Sequence, residues 1–251
     1  MIDISCHILP NSAYSDDQYK RSISMAKKAM KQGVRSIIAT SELTIYDAKE
    51  EVLCQVKELN ERLEEEGIDI KVLPGAEATF SHSFFRQVKE KKFIPLNKES
   101  PYLLINMPSE EISHHYFTET IFELHILGYQ VILSNPELHP NFIKNPMELY
   151  HLVRSGVLTQ ISAASIIGKN GWRVQKITEQ WIKSQLTHFI ASSAQSEEGL
   201  WLEKAYSYIK KHYGTDQVFA YMENAEAIIE NKRIFAEQPV KPNKRSLFSL
   251  F

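Results

Sequence analysis

Residues 34–73 read VRSIIATSELTIYDAKEEVLCQVKELNERLEEEGIDIKVL, and this stretch decides the fold. Its opening, 34–39, is rich in β-branched residues and predicts a strand. In 47–66, Val52, Val56, Leu59 and Leu63 recur at spacings of four, three and four, which places them on one helix face closed by Gly67. Residues 68–73 return to a strand pattern. A strand, a crossover helix and a second strand imply parallel pairing with a right-handed connection.

The same rhythm extends in both directions. Strands are expected at 2–9, 102–107, 130–133, 157–161 and 188–192. Helices are expected at 16–32, 83–91, 116–127, 146–154, 172–185, 203–212 and 224–229, with Gly33 and Gly128 as stops and Asn145-Pro146 as a start. Seven such units predict an α/β fold, most economically one barrel wrapped by helices, with an open doubly wound sheet as the alternative. No linker or repeat divides residues 1–237, which are read as one domain. Residues 238–251 form a tail, basic around Lys241, Lys244 and Arg245 and apolar over 246–251, expected to be solvated or to dock on a partner.

Composition narrows the function classes. The 251 residues are 43% hydrophobic and 24% charged, as in ordinary globular chains. With 29 basic and 31 acidic residues, the net charge of −2 gives no field for nucleic acid or an acidic membrane. No apolar run reaches the roughly 18 residues of a membrane span. The opening Met1-Ile2-Asp3-Ile4 lacks the basic lead of a secretory signal, so a cytoplasmic location is expected. Cys6 and Cys54 lack CxxC spacing and are expected as two buried thiols.

In α/β barrels functional residues collect at the carboxyl ends of strands. Those positions hold Ser5, Cys6 and His7; Ser41 and Glu42; Glu77; Asn106; Asn135; Ala164 and Ser165; and Ser193 and Gln195. Only His7, Glu42 and Glu77 are strong metal ligands. Glu42 and Glu77 would form an acid and base pair if they faced each other across the barrel. Cys6 is no candidate nucleophile, because its neighbour His7 points to the opposite strand face. No phosphate-cradling GxxxxGK[ST] or GxGxxG motif is present. Lys169, in the 168–171 turn, and Arg173 are a candidate anion site that a plain loop explains equally well. His139 is read as part of a surface turn, and the remaining histidines outside the strand ends as structural or solvated.

The segments MIDISCHILP, IIAT, LPGAE, YLLIN, NPEL, ISAASIIGKNG and HFIASSAQ, with ELNERLEEEGI and NAEAII, resemble the bacterial metal-dependent tyrosine phosphatases of capsule and exopolysaccharide clusters. These belong to the polymerase-and-histidinol-phosphatase (PHP) superfamily, and the resemblance runs from Met1 to about Ile234. It implies a distorted seven-stranded β/α barrel, up to three divalent metals, commonly manganese, at the strand ends, and phosphotyrosine on a partner kinase as substrate.

Position by position, the implied chemistry is depleted. The opening His-x-His of the family reads Ser5-Cys6-His7, and the Pro-His after IIAT reads Ser41-Glu42. Glu77 is kept, while the next glutamate is Asn106. His-Pro-Glu-Arg reads Asn135-Pro136-Glu137-Leu138, and Asp-Ala-His reads Ser193-Ala194-Gln195. An acidic turn after the first strand is replaced near Ala13-Tyr14-Ser15. Of eight implied metal positions, His7 and Glu77 remain, Glu42 still offers a ligand, and Ser5, Asn106, Asn135, Ser193 and Gln195 are neutral. Two glutamates supply −2 against the +4 of two divalent ions, so at most one metal is expected.

The leading expectation is therefore a pseudophosphatase without a cofactor, binding a tyrosine kinase, its tyrosine-rich tail or another polysaccharide-assembly partner. The alternative is an active protein-tyrosine phosphatase or other phosphoester hydrolase with one manganese or other divalent ion on His7, Glu42 and Glu77, Glu77 then being catalytic. A third reading is a structural or oligomer-forming subunit. The resemblance leaves a homo-oligomer open, since family members can be oligomeric, and nothing in the letters fixes a state.

Overall fold

The computed structural model describes residues 1–10, 16–42, 48–108 and 113–242; at Ser41 and Glu42 it describes the backbone. Ala13-Tyr14-Ser15 and 243–251 lie outside the described residues. Seven parallel strands follow one another around the sheet in chain order: β1 (Ile2–Cys6), β2 (Ser36–Glu42), β3 (Lys71–Thr79), β4 (Tyr102–Asn106), β5 (Gln130–Ser134), β6 (Leu158–Ser162) and β7 (Phe189–Ala191). The last strand returns to the first through a parallel bridge between Cys6 and Ala194, with Ser193 N–H donating to Ser5 O and His7 N–H to Ala194 O, each at 2.9 Å. The sheet is thus a nearly closed barrel, and the open alternative is set aside.

The connecting helices are α1 (Asp16–Lys31), α2 (Ala48–Glu65), α3 (Phe84–Lys89), α4 (His114–Ile126), α5 (Pro140–Lys144), α6 (Pro146–Arg154), α7 (Ala163–Ile166), α8 (Trp172–Lys183), α9 (Leu202–Tyr213) and α10 (Thr215–Ile229). The buried apolar residues of the longer helices pack mainly on the outer strand face, while α10 also sends Ala225 and Ile228 to the end of the barrel interior. In α2 the stripe is Val52, Val56, Leu59 and Leu63, all buried. These helices and the outward-pointing strand residues, such as Ile37, Leu103 and Val131, form the larger core.

Inside the barrel a second core fills the amino-terminal half: Ile4, Ile38, Leu73, Leu104, Ile132, Leu158 and Phe189. Truncating one such residue to alanine typically costs about 2–5 kcal/mol. Ala225, Ile228 and Ile234 plug this end. Tyr102 ties the plug down, its hydroxyl donating to Lys232 O at 2.8 Å and accepting from Ile234 N–H at 2.9 Å. With that end closed, any ligand must enter at the carboxyl ends.

Several expected boundaries move. β1 stops at Cys6 rather than residue 9. β3 runs on through Pro74-Gly75 to Thr79, paired with β2 in unbroken register as far as Glu77, so it extends well past the expected end at residue 73. Gly75 is required there, since a Cβ would lie 2.6 Å from Ile38 Cγ2. α10 begins at Thr215, not 224, because Val218, Tyr221, Ala225 and Ile228 make a buried stripe from its first turn. Cys54 is exposed on α2, contrary to the expectation of two buried thiols. Within the expected tail from 238, Val240 N–H donates to Ser184 O at 2.9 Å.

Candidate functional site

Alternation along each strand carries the inner face from apolar to polar. Leu73 is followed inward by Gly75 and Glu77, Leu104 by Asn106, Ile132 by Ser134, Leu158 by Gln160 and Ser162. This polar layer floors an open cleft of about 670 Å³ at the carboxyl end of the barrel.

His7, Glu77, Asn106, Asn135, Ser193 and Gln195 all line the cleft. Cys6, as expected, points away into the outer core, its Sγ 3.7 Å from Ala194 O. Ser5 is fully buried, its hydroxyl 3.0 Å from that of Thr40. Glu42 and Glu77 are register partners on adjacent parallel strands, so they do not face each other across the barrel as the acid and base reading required. The side chain of Glu42 lies outside the described residues. Lys169 reaches the cleft, whereas Arg173 stands over the Trp172 ring on α8 and does not line it.

The floor is a connected set of neutral hydrogen bonds. Gln160 Nε2 donates to Asn135 Oδ1 at 3.0 Å, and Ser134 Oγ donates to Gln160 Oε1 at 3.0 Å. Asn135 Nδ2 donates to Ser134 Oγ at 3.1 Å and Ser193 Oγ at 3.2 Å. Asn106 Nδ2 donates to Glu77 Oε1 at 3.1 Å. Asn135 and Ser193 both adopt left-handed backbone, φ 45° and 49°, which turns their side chains over the floor.

Around this floor lie residues that strand-end reading missed. Glu137, in a 3₁₀ turn over Pro136–Leu138, is fully buried; its Oε1 accepts from Ser162 N–H at 2.9 Å and Ser165 Oγ at 2.7 Å, while Oε2 has no partner. Desolvation raises its carboxyl from 4.5 to about 7. Ser165 in turn accepts from Asn170 at 2.9 Å, fixing the turn that brings Lys169 to the cleft. Asp3 is likewise buried and raised to about 6 by desolvation, with Oδ1 accepting Ser192 N–H at 2.9 Å and Oδ2 unpartnered. Burial also pushes the Cys6 thiol up, and holds His188 down at about 4.

Arg21 on α1 donates to the carbonyls of Gln195 at 2.6 Å, His7 at 3.1 Å and Leu9 at 3.2 Å, clamping two mouth loops together. Trp201 lines the cleft with Lys169 and Lys204 over its ring, at 4.9 and 4.8 Å from the centroid. His139 is not a plain surface turn. It caps α5, and its Nε2 sits 3.0 Å from Pro108 O beside the cleft. The signal that would have found Gln160 and Ser134 is their phase: each falls on the inward set of its strand, where a polar letter demands partners.

Fold and cleft define a class: a seven-stranded parallel β/α barrel with one end plugged and a polar ligand cleft at its carboxyl end. The chain belongs to the CpsB/CapC family of capsular polysaccharide synthesis, whose model matches residues 1–230. It is 32% identical, over the full length of both chains, to "Tyrosine-protein phosphatase YwqE" of Bacillus subtilis. It is 24% identical to "Tyrosine-protein phosphatase CpsB" of Streptococcus pneumoniae, covering 93% of this chain and 100% of that one. A solved structure from a study of YwqE and CpsB as unique metal-dependent tyrosine phosphatases superposes with a TM-score of 0.90 at 32% identity, covering 98% and 100% of the two chains. The family and the barrel expected from the residues are borne out.

The solved relatives are described as metal-dependent, and the donors present here bear on whether such a site persists. Among the described residues no group of three or more His, Cys, Asp or Glu side chains converges as a metal site. His7 and Glu77 stand among amides and hydroxyls already bonded to one another. Bringing two or three divalent ions together requires dense anionic ligation, and the described donors do not fit such a cluster. No described helix is long and apolar enough to cross a membrane.

Proposed function

We propose that this chain is a pseudophosphatase: a CpsB/CapC barrel that binds a tyrosine-bearing segment of a bacterial tyrosine kinase, or another partner in capsule assembly, without hydrolysing phosphate. The observation that carries this is the closed set of bonds among Asn135, Gln160, Ser134 and Ser193. Neutral groups that satisfy each other keep a buried pocket folded without a charge to compensate. The resemblance expects metal ligands at Asn135 and Ser193, and here those positions serve the network instead. The relatives' names as tyrosine phosphatases support tyrosine as the side chain the cleft takes. On this reading the protein acts in the cytoplasm, residues 1–237 are the working domain and residues 238–251 are an appendage.

The relatives' names and the register pairing of Glu42 with Glu77 favour a second reading, an active phosphatase with one divalent ion on His7, Glu42 and Glu77. Metal content separates the two. The protein is incubated with excess manganese, passed through gel filtration and analysed by mass spectrometry, with YwqE as control. The first reading expects a stoichiometry close to zero and no phosphate release from phosphotyrosine peptides. About one tightly held metal per chain, lost on Glu77→Gln together with turnover, would establish the second.

A further inference from the structure

Resting on the reading above, we infer that the cleft accepts the neutral phenol of an unphosphorylated tyrosine in preference to its phosphate ester. A phosphotyrosine carries about −1.5 to −2 charges near neutral pH and offers only acceptors, so its pocket must supply cations or free donors. This floor supplies neither in the required number. Glu77 presents a carboxylate, Asn135 and Gln160 each donate to two neighbours, and Asn106 gives one of its amide hydrogens to Glu77. Lys169 is the only lysine or arginine lining the cleft among the described residues, and its ammonium is held at the rim over Trp201. Where the resemblance expects a phosphate-facing arginine stands Leu138, 45% exposed.

A phenol suits the same surface. Its hydroxyl donates one hydrogen bond, for which Glu77 is an acceptor, and its ring needs apolar walls, which Met107, Leu138 and Phe142 provide. The phosphate ester would instead set a dianion against Glu77 with no counter-charge at the floor among the described residues, a like-charge juxtaposition that penalises the wrong ligand. Two imidazoles line the cleft, His7 and His139, and His139 already engages Pro108 O.

The test is a titration of the full ¹⁵N-labelled chain at pH 8 with EDTA present, using N-acetyl-tyrosinamide and its O-phosphorylated form. The side-chain amide signals of Asn106, Asn135 and Gln160 and the indole N–H of Trp201 are followed. The expected result is that tyrosinamide shifts the floor amides with a dissociation constant at least about tenfold lower than the phosphorylated compound. Leu138→Arg, at an exposed site that folding tolerates, is expected to reverse the order by strengthening the phosphorylated ligand about tenfold or more. Equal or tighter binding of the phosphorylated compound to the unaltered chain overturns the inference and leaves a non-hydrolytic phosphotyrosine reader. An unchanged order in Leu138→Arg overturns its electrostatic basis. No shift from either compound at about 10 mM overturns the inference and removes tyrosine as the ligand. Release of inorganic phosphate in a manganese-loaded sample, seen by ³¹P spectroscopy, overturns the pseudophosphatase reading instead.

Discussion

Replacing Glu137 by glutamine is expected to change how stability depends on pH far more than it changes the fold. Burial raises the Glu137 carboxyl from 4.5 to about 7, so between those values the folded chain binds a proton that the unfolded chain has released. Stability from this group is fully present below about pH 4.5 and is lost as pH rises through 7. At 1.36 kcal/mol for each tenfold change in proton affinity, the whole loss is about 3 kcal/mol, most of which falls between pH 5 and pH 8. Glutamine keeps the acceptor for Ser162 N–H and Ser165 Oγ and cannot titrate. Urea unfolding of both proteins at pH 5, 6, 7 and 8 gives the difference directly. Contributions from Asp3 and His188, common to both, cancel in it. The variant is expected to gain on the parent by about 2 to 3 kcal/mol from pH 5 to pH 8. A difference constant to within about 0.5 kcal/mol would mean that Glu137 titrates normally, and the account of its buried, half-partnered carboxyl would fail.

Other substitutions test other parts of the structure. Gly75→Ala forces a methyl group to within 2.6 Å of Ile38 Cγ2 inside the barrel and is expected to cost about 1–3 kcal/mol in urea unfolding; a neutral result would show that the lumen has slack. Arg21→Ala removes donors from three mouth carbonyls and is expected to lower stability by about 1–2 kcal/mol. Hydrogen exchange of this variant should quicken around residues 7–9 and 193–195, and unchanged protection there would show that the clamp is idle. Asp3→Asn is expected to reduce the loss of stability between pH 4 and pH 6, since the raised carboxyl of Asp3 favours the folded state only while protonated; an unaltered pH profile would count against that burial argument.

Much of the barrel was legible because its helices repeat one device. The stripe of Val52, Val56, Leu59 and Leu63 faces the sheet as its spacing required. Boundaries failed where tertiary contacts outrank local preference. The third strand is expected to end at Leu73, yet strand pairing carries the chain on through Pro74 and Gly75, and Gly75 serves close packing. Polar letters in the first turns of α10 hid Val218 and Tyr221 as members of a buried stripe. At the cleft, His7, Glu77, Asn106 and Asn135 were readable as strand-end residues. Gln160 and Glu137 were not, for different reasons. Gln160 lies inside a strand rather than at its end, where only its inward phase marks it, and nothing local tells that a loop glutamate will be wholly enclosed. Trp201 joins the cleft from the end of the loop between β7 and α9, ten residues past the strand and beyond the letters read as a strand end.

The seam between β1 and β7 has a kinetic consequence. It joins residues near position 5 to residues near 193 through few backbone bonds, whereas every other strand pair is local in the chain. Loop-closure entropy places such a contact late on the folding route. During synthesis the first strand therefore waits with one unsatisfied edge while six partners are made in succession. Ser192 N–H must then find the Asp3 carboxylate before the ring is complete, so this junction is where an interrupted or misregistered chain is exposed to aggregation.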